Sequence, residues 1–172
     1  MSLSLIDLDK YPVDEDAFNL KELFDGVLER VIAIYESYGV PLPSRRYWTM
    51  TQPAVDCEQL VVYFSQAYLG MPGDQASEPQ RCNVPRSVVF NIMLARPVPV
   101  VGQSGQAPNP EKIQKASEIV AVDAWILMQS LNLLDQWDDD GLYGPGVIAT
   151  VTAGESSGGF QSSVMQVTMV IP

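Results

Sequence analysis

Two stretches of the chain place apolar residues at the spacing of an amphipathic helix, and the first covers residues 19–39. Asn19 and Glu22 fit a variant of the capping box at its start, and Gly39 followed by Pro41 predicts its end. Its apolar stripe consists of Leu20, Phe24, Val27, Val31, Ile34 and Tyr38, with Leu23 and Leu28 beside it. The pattern predicts a helix with one face in the core.

The second helical stretch, residues 109–137, carries two apolar stripes instead of one. Asn109 predicts the cap, Pro110 takes the first helical position, and Glu111 complements the helix dipole. One stripe contains Ile113, Ala116, Val120, Ala124, Leu127, Leu131 and Leu134, and the other contains Ile119, Val122, Ile126 and Leu133. Two stripes predict burial on more than one side. We expect one side to pack on a sheet and the other to pack against the first helix, a neighbouring subunit, or both.

Five further stretches read as strands because they are rich in β-branched and aromatic residues or alternate apolar with polar positions. In the last of them Met165, Val167, Met169 and Ile171 alternate with polar residues, which is typical of a half-covered sheet. The predicted strands lie in residues 45–52, 59–70, 86–100, 147–154 and 160–172, and we expect Pro97 and Pro99 to cut off the third. The last two form a hairpin around a turn at 155–159.

The order of these elements predicts one small α+β domain. We expect a mostly antiparallel β-sheet of about four to five strands, with the two main helices packed on one face. Residues 1–15 read as an N-terminal arm and residues 16–172 as the single domain, without an internal repeat.

Composition agrees with a globular domain, since 47% of the 172 residues are hydrophobic and 18% are charged. The longest mainly apolar run, residues 119–128, is too short to cross a bilayer and contains Asp123. The N-terminus lacks the basic segment and apolar core of a secretory signal. We therefore expect a soluble protein, made in the cytoplasm and without a membrane partner.

The net charge of −11 is unevenly distributed. Residues 1–44 hold nine acids and three bases (−6), residues 45–115 five acids and seven bases (+2), and residues 116–172 seven acids and no base (−7). Such a chain repels phosphates, which argues against binding nucleic acid through a general field. The bases of the middle third are candidates for contacts with acidic patches on a neighbouring copy, and a solvated surface is the alternative.

The chemistry available to the chain is limited because it contains no histidine. Ser–His–Asp and Cys–His arrangements cannot form within it. Cys57 lies between Asp56 and Glu58, whose charges disfavour a reactive thiolate, and two cysteines without histidine cannot close a zinc site. A disulfide between Cys57 and Cys82 stays open. We expect no catalytic residue, metal or cofactor, and a protein that is not an enzyme.

Two further motifs are weak. The run of aspartates at 138–140 lacks the alternating ligands and the distal glutamate of a calcium loop. Glycine-rich motifs that cradle nucleotides are absent from the sequence. Carboxylate catalysis by acids such as Asp56, Glu58 and Asp123 stays open, because no spacing defines a pair.

Three segments together resemble a known family. They are VDCEQLVVYFSQAYLGMPGDQASEPQRCNVPRSVVFNIMLARPVPVVG, ASEIVAVDAWILMQSLNLLDQW and GVIATVTAGESSGGFQSSVMQVTMVIP. They resemble the tail terminator proteins of long-tailed phages (siphophages) that infect mycobacteria and related actinobacteria. The resemblance covers roughly residues 40–172, and its motifs are structural, not chemical.

The resemblance implies a structural virion protein with a curved sheet and helices packed against it. Tail terminators form a hexameric ring on the finished tail tube, stop its polymerisation and dock to the neck of the head. The implied partners are copies of the chain itself in a homohexamer, the major tail tube protein and a head–tail stopper or neck protein. Genomic DNA would pass through the lumen without specific binding. The implied location is the head–tail junction of the virion, after assembly in the host cytoplasm.

Two other readings remain. Within the same class, the chain could be another connector component, although an adaptor should be nearly all helical and a stopper should be a small β-barrel. From a different class, it could be a small-molecule-binding domain or a carboxylate-dependent hydrolase. A deep apolar pocket with convergent Asp or Glu side chains of raised pKa would favour that reading.

A closed ring needs a heterologous interface, in which two different patches of one subunit meet. The candidates for these patches are the charged residues around the predicted strands and the second stripe of the second helix. They are Arg45, Arg46, Asp56, Glu58, Arg81, Arg86, Arg96, Ile119, Val122 and Ile126.

Overall fold

Two helices and five strands make up the described part of the computed structural model, which covers residues 20–73, 85–101, 107–135, 147–154 and 158–171. In the second helix the side chains are described as far as Ser130. The element order is α1 (Leu20–Ser37), β1 (Arg45–Thr49), β2 (Gln59–Leu69), β3 (Arg86–Pro97), α2 (Pro110–Asp135), β4 (Val147–Ala153) and β5 (Phe160–Ile171). Arg81, the arm at 1–15 and the aspartates at 138–140 lie outside the described residues.

The five strands form one sheet in the order β1-β2-β3-β5-β4. Strand β1 runs parallel to β2, and the other three pairings are antiparallel. The predicted fold class, an α+β domain with a mostly antiparallel sheet and two helices, is confirmed. Because β1 pairs only with Gln59–Tyr63, the second half of β2 extends beyond it, with a bulge between Phe64 and Gln66.

Both helices cover the same face of the sheet. Their buried side chains share one core cluster with the inward-facing residues of β2, β3 and β5, among them Phe24 of α1, Phe90 of β3 and Leu127 of α2. The rings of Phe24 and Phe90 meet edge to face, with centroids 5.8 Å apart. Strand β3 contributes to both faces and is buried from Ser87 to Arg96, which places it at the centre of the domain.

The opposite face of the sheet carries a smaller apolar cluster. Val61, Tyr63 and Met93 form its buried centre. Partly buried Tyr47, Val55 and Val164 pack around them. The sheet therefore has one large and one small apolar face.

The two helices begin and end largely where the sequence predicts. The Asn109 side chain accepts a hydrogen bond of 2.9 Å from the Glu111 backbone N–H, which confirms the cap of α2. Gly39 follows α1 with a positive φ of 65°, a backbone conformation that suits glycine. In α1 the aromatic side chains of Phe24 and Tyr35 are buried, while Tyr38 is 48% exposed because it lies just past the last helical residue.

Helix α2 buries one side and exposes the other within the single subunit. Val120, Ile126 and Leu127 are buried against the sheet, and the polar Asp123 and Ser130 lie on the same side. Five large apolar side chains of α2 remain 43–46% exposed: Ile113, Ile119, Val122, Trp125 and Met128. Ile113 and Ile119 lie about two turns before the buried Val120 and Ile126, so their exposure comes from their place along the helix. The predicted second stripe is therefore split, with Ile126 inside the core and Ile119 and Val122 outside it. Neither helix, over its described residues, is long and apolar enough to span a membrane.

Candidate functional site

A buried ionic cluster lies at the end of the sheet where β2 begins and β3 ends. Arg96 Nε donates to Asp123 Oδ2 at 2.9 Å, and Arg96 Nη2 donates to Asp123 Oδ1 at 3.1 Å, so the pair is bidentate. Arg96 Nη1 donates to Glu58 Oε1 at 2.6 Å, and Nη2 also donates to the Pro41 carbonyl at 2.7 Å. Four segments distant in sequence thus meet at one guanidinium group.

The position of each group follows from its element. Arg96 is the last buried residue of β3, immediately before Pro97, and its long side chain reaches over the end of the sheet. Asp123 lies on the buried side of α2, three residues before Ile126. Glu58 immediately precedes β2. Tyr35 of α1 donates its hydroxyl hydrogen to the Asp123 carbonyl at 3.3 Å, which joins the first helix to the same cluster.

Burial dominates the electrostatics of this cluster. The Asp123 side chain is 1% exposed, and burial raises the pKa of its carboxyl above the ordinary value, although the hydrogen bonds and charge of Arg96 oppose the shift. Burial by itself would lower the pKa of Arg96, but its hydrogen bonds to Asp123 and Glu58 outweigh it and raise that pKa. Burial likewise raises the pKa of the Tyr35 hydroxyl. In the described chain no buried side-chain nitrogen or oxygen lacks a hydrogen-bond partner.

A mostly apolar pocket of about 410 Å³ opens beside this cluster. Its wall is formed by the connection after α1, the ends of β2 and β3, and the exposed side of α2. The lining residues are Val40, Pro41, Glu58, Arg96, Pro97, Lys115, Glu118, Ile119 and Val122. The pocket therefore combines an aliphatic wall with charged groups at its rim.

An apolar row continues from the pocket along α2. We use the name α2 row for Ile119, Val122, Trp125 and Met128, which follow one another at intervals of three residues and so are neighbours on the helix surface. Each is between 43% and 46% exposed. The ring of Tyr38 packs edge to face on Trp125, with centroids 5.0 Å apart, and extends the row onto the end of α1.

Of the ten residues that the sequence suggests for an interface, the structure brings Glu58, Arg96, Ile119 and Val122 together around the pocket. Two of the ten, Ile126 and Arg96, have a role within the subunit. Ile126 is 1% exposed and belongs to the core, whereas Ile119, about two turns earlier on the same side of α2, is 45% exposed. Arg96 is 7% exposed, and its charge is compensated within the subunit by Asp123 and Glu58.

A second group of candidates lies at the start of β1. Arg45 Nη1 is 3.0 Å from Asp56 Oδ1 and donates to Cys57 Sγ at 3.1 Å, and its guanidinium lies 5.1 Å from the centre of the Tyr47 ring. Arg46 donates to the Pro43 carbonyl at 2.7 Å. The sequence places only acids beside Cys57, so the approach of a cation to this free thiol is a finding of the structure. The Arg45–Asp56 pair is exposed and contributes little to stability.

Arg86 lies at the opposite end of the sheet from the pocket. It is exposed at the start of β3 and pairs with Leu69 at the end of β2. Leu69 is 56% exposed. Partners in antiparallel strands project from the same face, so these two side chains form one surface, which we name the hairpin-end patch.

Sequence reasoning missed Trp125, Met128 and Leu69 as exposed apolar residues. For the two on α2 the signal was present, since they continue Ile119 and Val122 at the same three-residue interval. Leu69 carried no such signal, because it is an apolar residue in an apolar strand. Among the residues that the structure describes, no group of three or more His, Cys, Asp or Glu side chains is placed to hold a metal ion.

Comparison of the chain with protein-family models gives no match, and comparison with curated proteins gives none either.

Proposed function

We propose that this chain is the tail terminator of a long-tailed phage, a structural virion protein that closes the tail tube as a hexameric ring. The observation that carries the proposal is the α2 row with its adjoining pocket, which stays exposed on a subunit whose core is otherwise well buried. Single exposed apolar residues are ordinary, but contiguous apolar surface of this kind marks an interaction site. The resemblance of residues 40–172 to tail terminators names the assembly that such a surface serves.

The charge distribution supports the same proposal. The exposed Arg45, Arg46 and Arg86 lie in the basic middle third, and acids dominate the rest of the chain. A ring built from such subunits brings unlike patches of neighbouring copies together. A net charge of −11 per subunit also suits a conduit through which DNA must slide without being held.

The partners of the ring follow from this role. One end meets the last ring of the major tail tube protein, and the other meets the stopper or neck protein of the head. The fold supports a terminator over the other connector components. An all-helical adaptor would not contain a five-stranded sheet, and a small β-barrel stopper would not contain two long helices.

The test is whether the purified chain forms rings. Sedimentation velocity across a concentration series gives its oligomeric state, and electron microscopy of tail tubes incubated with it gives the occupancy and symmetry of the tube ends. We expect six copies around an open channel, in solution or at the tube ends, and tubes that no longer elongate. A chain that stays monomeric at every concentration and leaves the tube ends bare would contradict the proposal.

A small-molecule-binding domain is the second candidate, and the pocket beside Arg96 is the observation that favours it. The raised pKa of Asp123 partly meets the expectation for such a site. Asp123 is, however, held by two hydrogen bonds from Arg96 and does not line the pocket, so its carboxylate is not presented to a ligand. A monomer that yields a specific small molecule on native mass spectrometry would favour this candidate over the ring.

A further inference from the structure

The pocket and the hairpin-end patch lie at opposite ends of the same sheet. Strand β3 begins with Arg86 in the patch and reaches Arg96 at the pocket ten residues later, a separation of about 34 Å at 3.4 Å per residue. The two surfaces therefore cannot meet within one subunit. If they meet at all, they meet between copies, and a contact between two different patches is heterologous.

The two surfaces are complementary in charge. Arg86 is exposed and forms no ion pair among the described residues, which gives the patch a positive charge beside the apolar Leu69. The pocket is lined by two acids, Glu58 and Glu118, and by two bases, Lys115 and Arg96. Asp123, which pairs with Arg96 behind the lining, adds a third acid, so the net charge of this region is −1. Glu118 is exposed at the rim, with Gln114 as its hydrogen-bond partner and no cation within ion-pair distance in the described chain.

The two surfaces are also complementary in shape. Leu69 projects from the part of β2 that extends beyond β1, whereas the pocket is concave and bounded by Ile119 and Val122. The hairpin end is held in place by its own hydrogen bonds, from the Gly70 N–H to the Pro85 carbonyl at 2.8 Å and from the Ser87 hydroxyl to the Gly70 carbonyl at 2.6 Å. A projection that is already ordered loses little conformational freedom on binding.

We propose that Leu69 of one copy inserts into the pocket of the next copy, against Ile119 and Val122, and that Arg86 pairs with Glu118 across the contact. This inference rests on the proposed function and deepens it, since it names the two surfaces that join neighbouring copies. Each copy uses one patch and one pocket. When each contact rotates one copy relative to the previous copy by an angle that closes the circle, the repeated contact forms a ring in which every patch occupies a pocket.

The first test uses two variants that each disable one surface. Leu69→Asp removes the insertion, and Ile119→Asp places a charge in the pocket. Each is expected to sediment as a monomer at concentrations where the wild type forms rings. An equimolar mixture of the two retains one intact patch and one intact pocket, so it is expected to form a species of twice the monomer mass and nothing larger. Met50→Asp, at an apolar position that is 47% exposed just past β1, is the matched control and is expected to form rings.

The second test exchanges the charges of Arg86 and Glu118, and assembly can be followed either in solution or at the ends of tail tubes. Arg86→Glu and Glu118→Arg are each expected to weaken assembly roughly tenfold, because each sets like charges opposite one another. The double variant restores the pair and is expected to assemble within about threefold of the wild type. Lys112→Glu changes the charge of the chain by −2, as Arg86→Glu does, at a position of α2 that does not line the pocket, so it is the control and is expected to assemble normally.

The outcomes separate this inference from the proposed function. Rings formed by the wild type and equally by Leu69→Asp, or no restoration in the charge exchange, would overturn the contact and leave the terminator proposal standing. A wild type that neither self-associates nor occupies tube ends would overturn both. Monomeric single variants, a dimeric mixture and restored assembly in the double variant would support the contact.

Discussion

At the scale of single residues, the ionic cluster at Arg96 governs how this subunit is held together. Transfer of a carboxylate and a guanidinium out of water is costly, and their attraction offsets this cost only when hydrogen bonds satisfy both groups. Asp123 receives two hydrogen bonds from Arg96, and the same guanidinium reaches Glu58 and the Pro41 carbonyl. The cluster therefore fixes the end of β3 to α2, to the start of β2 and to the connection after α1.

Removal of one partner should be far more harmful than the net contribution of the pair suggests. We expect Asp123→Ala to lower the free energy of unfolding by about 3–5 kcal/mol, because the buried Arg96 would lose its bidentate partner and keep only the partly exposed Glu58. Urea denaturation followed by circular dichroism measures this. Asp56→Ala, which breaks the exposed pair with Arg45, is the control and should cost at most about 1 kcal/mol. Equal losses from the two variants would contradict this account of the cluster.

The raised pKa of Asp123 also predicts a pH dependence of stability. Because the folded-state pKa lies above the ordinary value of 3.8, folding is accompanied by proton uptake at this group. Its stabilising contribution is fully present below pH 3.8 and is lost as the pH rises through the folded-state pKa. We expect the stability of the wild type relative to Asp123→Asn to increase as the pH falls toward 4, measured by denaturant titrations at successive pH values. A difference that shrinks on acidification would show the opposite sign of shift.

At the scale of elements, α2 contributes apolar side chains both to the core and to the surface. Its predicted second stripe contains Ile126, which is 1% exposed, and Ile119, which is 45% exposed. The two residues are seven positions apart and have the same side chain, so they form a matched pair for experiment.

We expect Ile126→Ala to lower the free energy of unfolding by about 2–5 kcal/mol, since it leaves a cavity in the core. Ile119→Ala should change it by no more than about 0.5 kcal/mol in the monomer, because the side chain is half in solvent. Chemical denaturation at low protein concentration gives both values. A large loss of unfolding free energy from Ile119→Ala would show that this residue supports the fold of the subunit. That result would contradict the interpretation of the α2 row as a free surface.

The elements themselves could mostly be predicted from local pattern. The spacing of Leu20, Phe24, Val27 and Val31 is enough to define α1 and its buried face, and Asn109 with Pro110 defines the start of α2. The sequence also predicted that prolines cut off the third strand at Pro97 and Pro99, and β3 ends at Pro97. Proline has no backbone N–H to donate to a neighbouring strand, so its position in the sequence indicates where the strand ends.

The candidate site could be predicted only in part. Ile119 and Val122 are exposed, as the amphipathic pattern allows, but nothing local distinguishes them from the buried Ile126. Arg96 was suggested as a surface charge because arginines are mostly exposed, and its burial depends on a partner 27 residues away in the chain. Pairing across such a separation is decided by packing and leaves no periodic signal in the sequence.

At the scale of the whole molecule, assembly should be visible as stability. A surface that is buried only between copies stabilises the folded state by mass action, so the apparent unfolding temperature of the wild type should rise with protein concentration. Scanning fluorimetry over a hundredfold concentration range measures this. Ile119→Asp should keep the unfolding temperature of the dilute wild type and lose the dependence on concentration. A wild type whose unfolding temperature is independent of concentration would contradict assembly of the free chain.

The sequence by itself determined the fold class, because hydrophobic periods of 3.6 and 2 residues and the signals at helix ends are local properties of the chain. It also excluded histidine-dependent chemistry, since composition does not depend on folding. Only the tertiary structure decided that β1 is parallel to β2, that Arg96 and Asp123 form a buried pair, and that one stripe of α2 is divided between core and surface. These features depend on which distant segments meet, and the free energy of packing, not the local pattern, selects among the arrangements that the pattern allows.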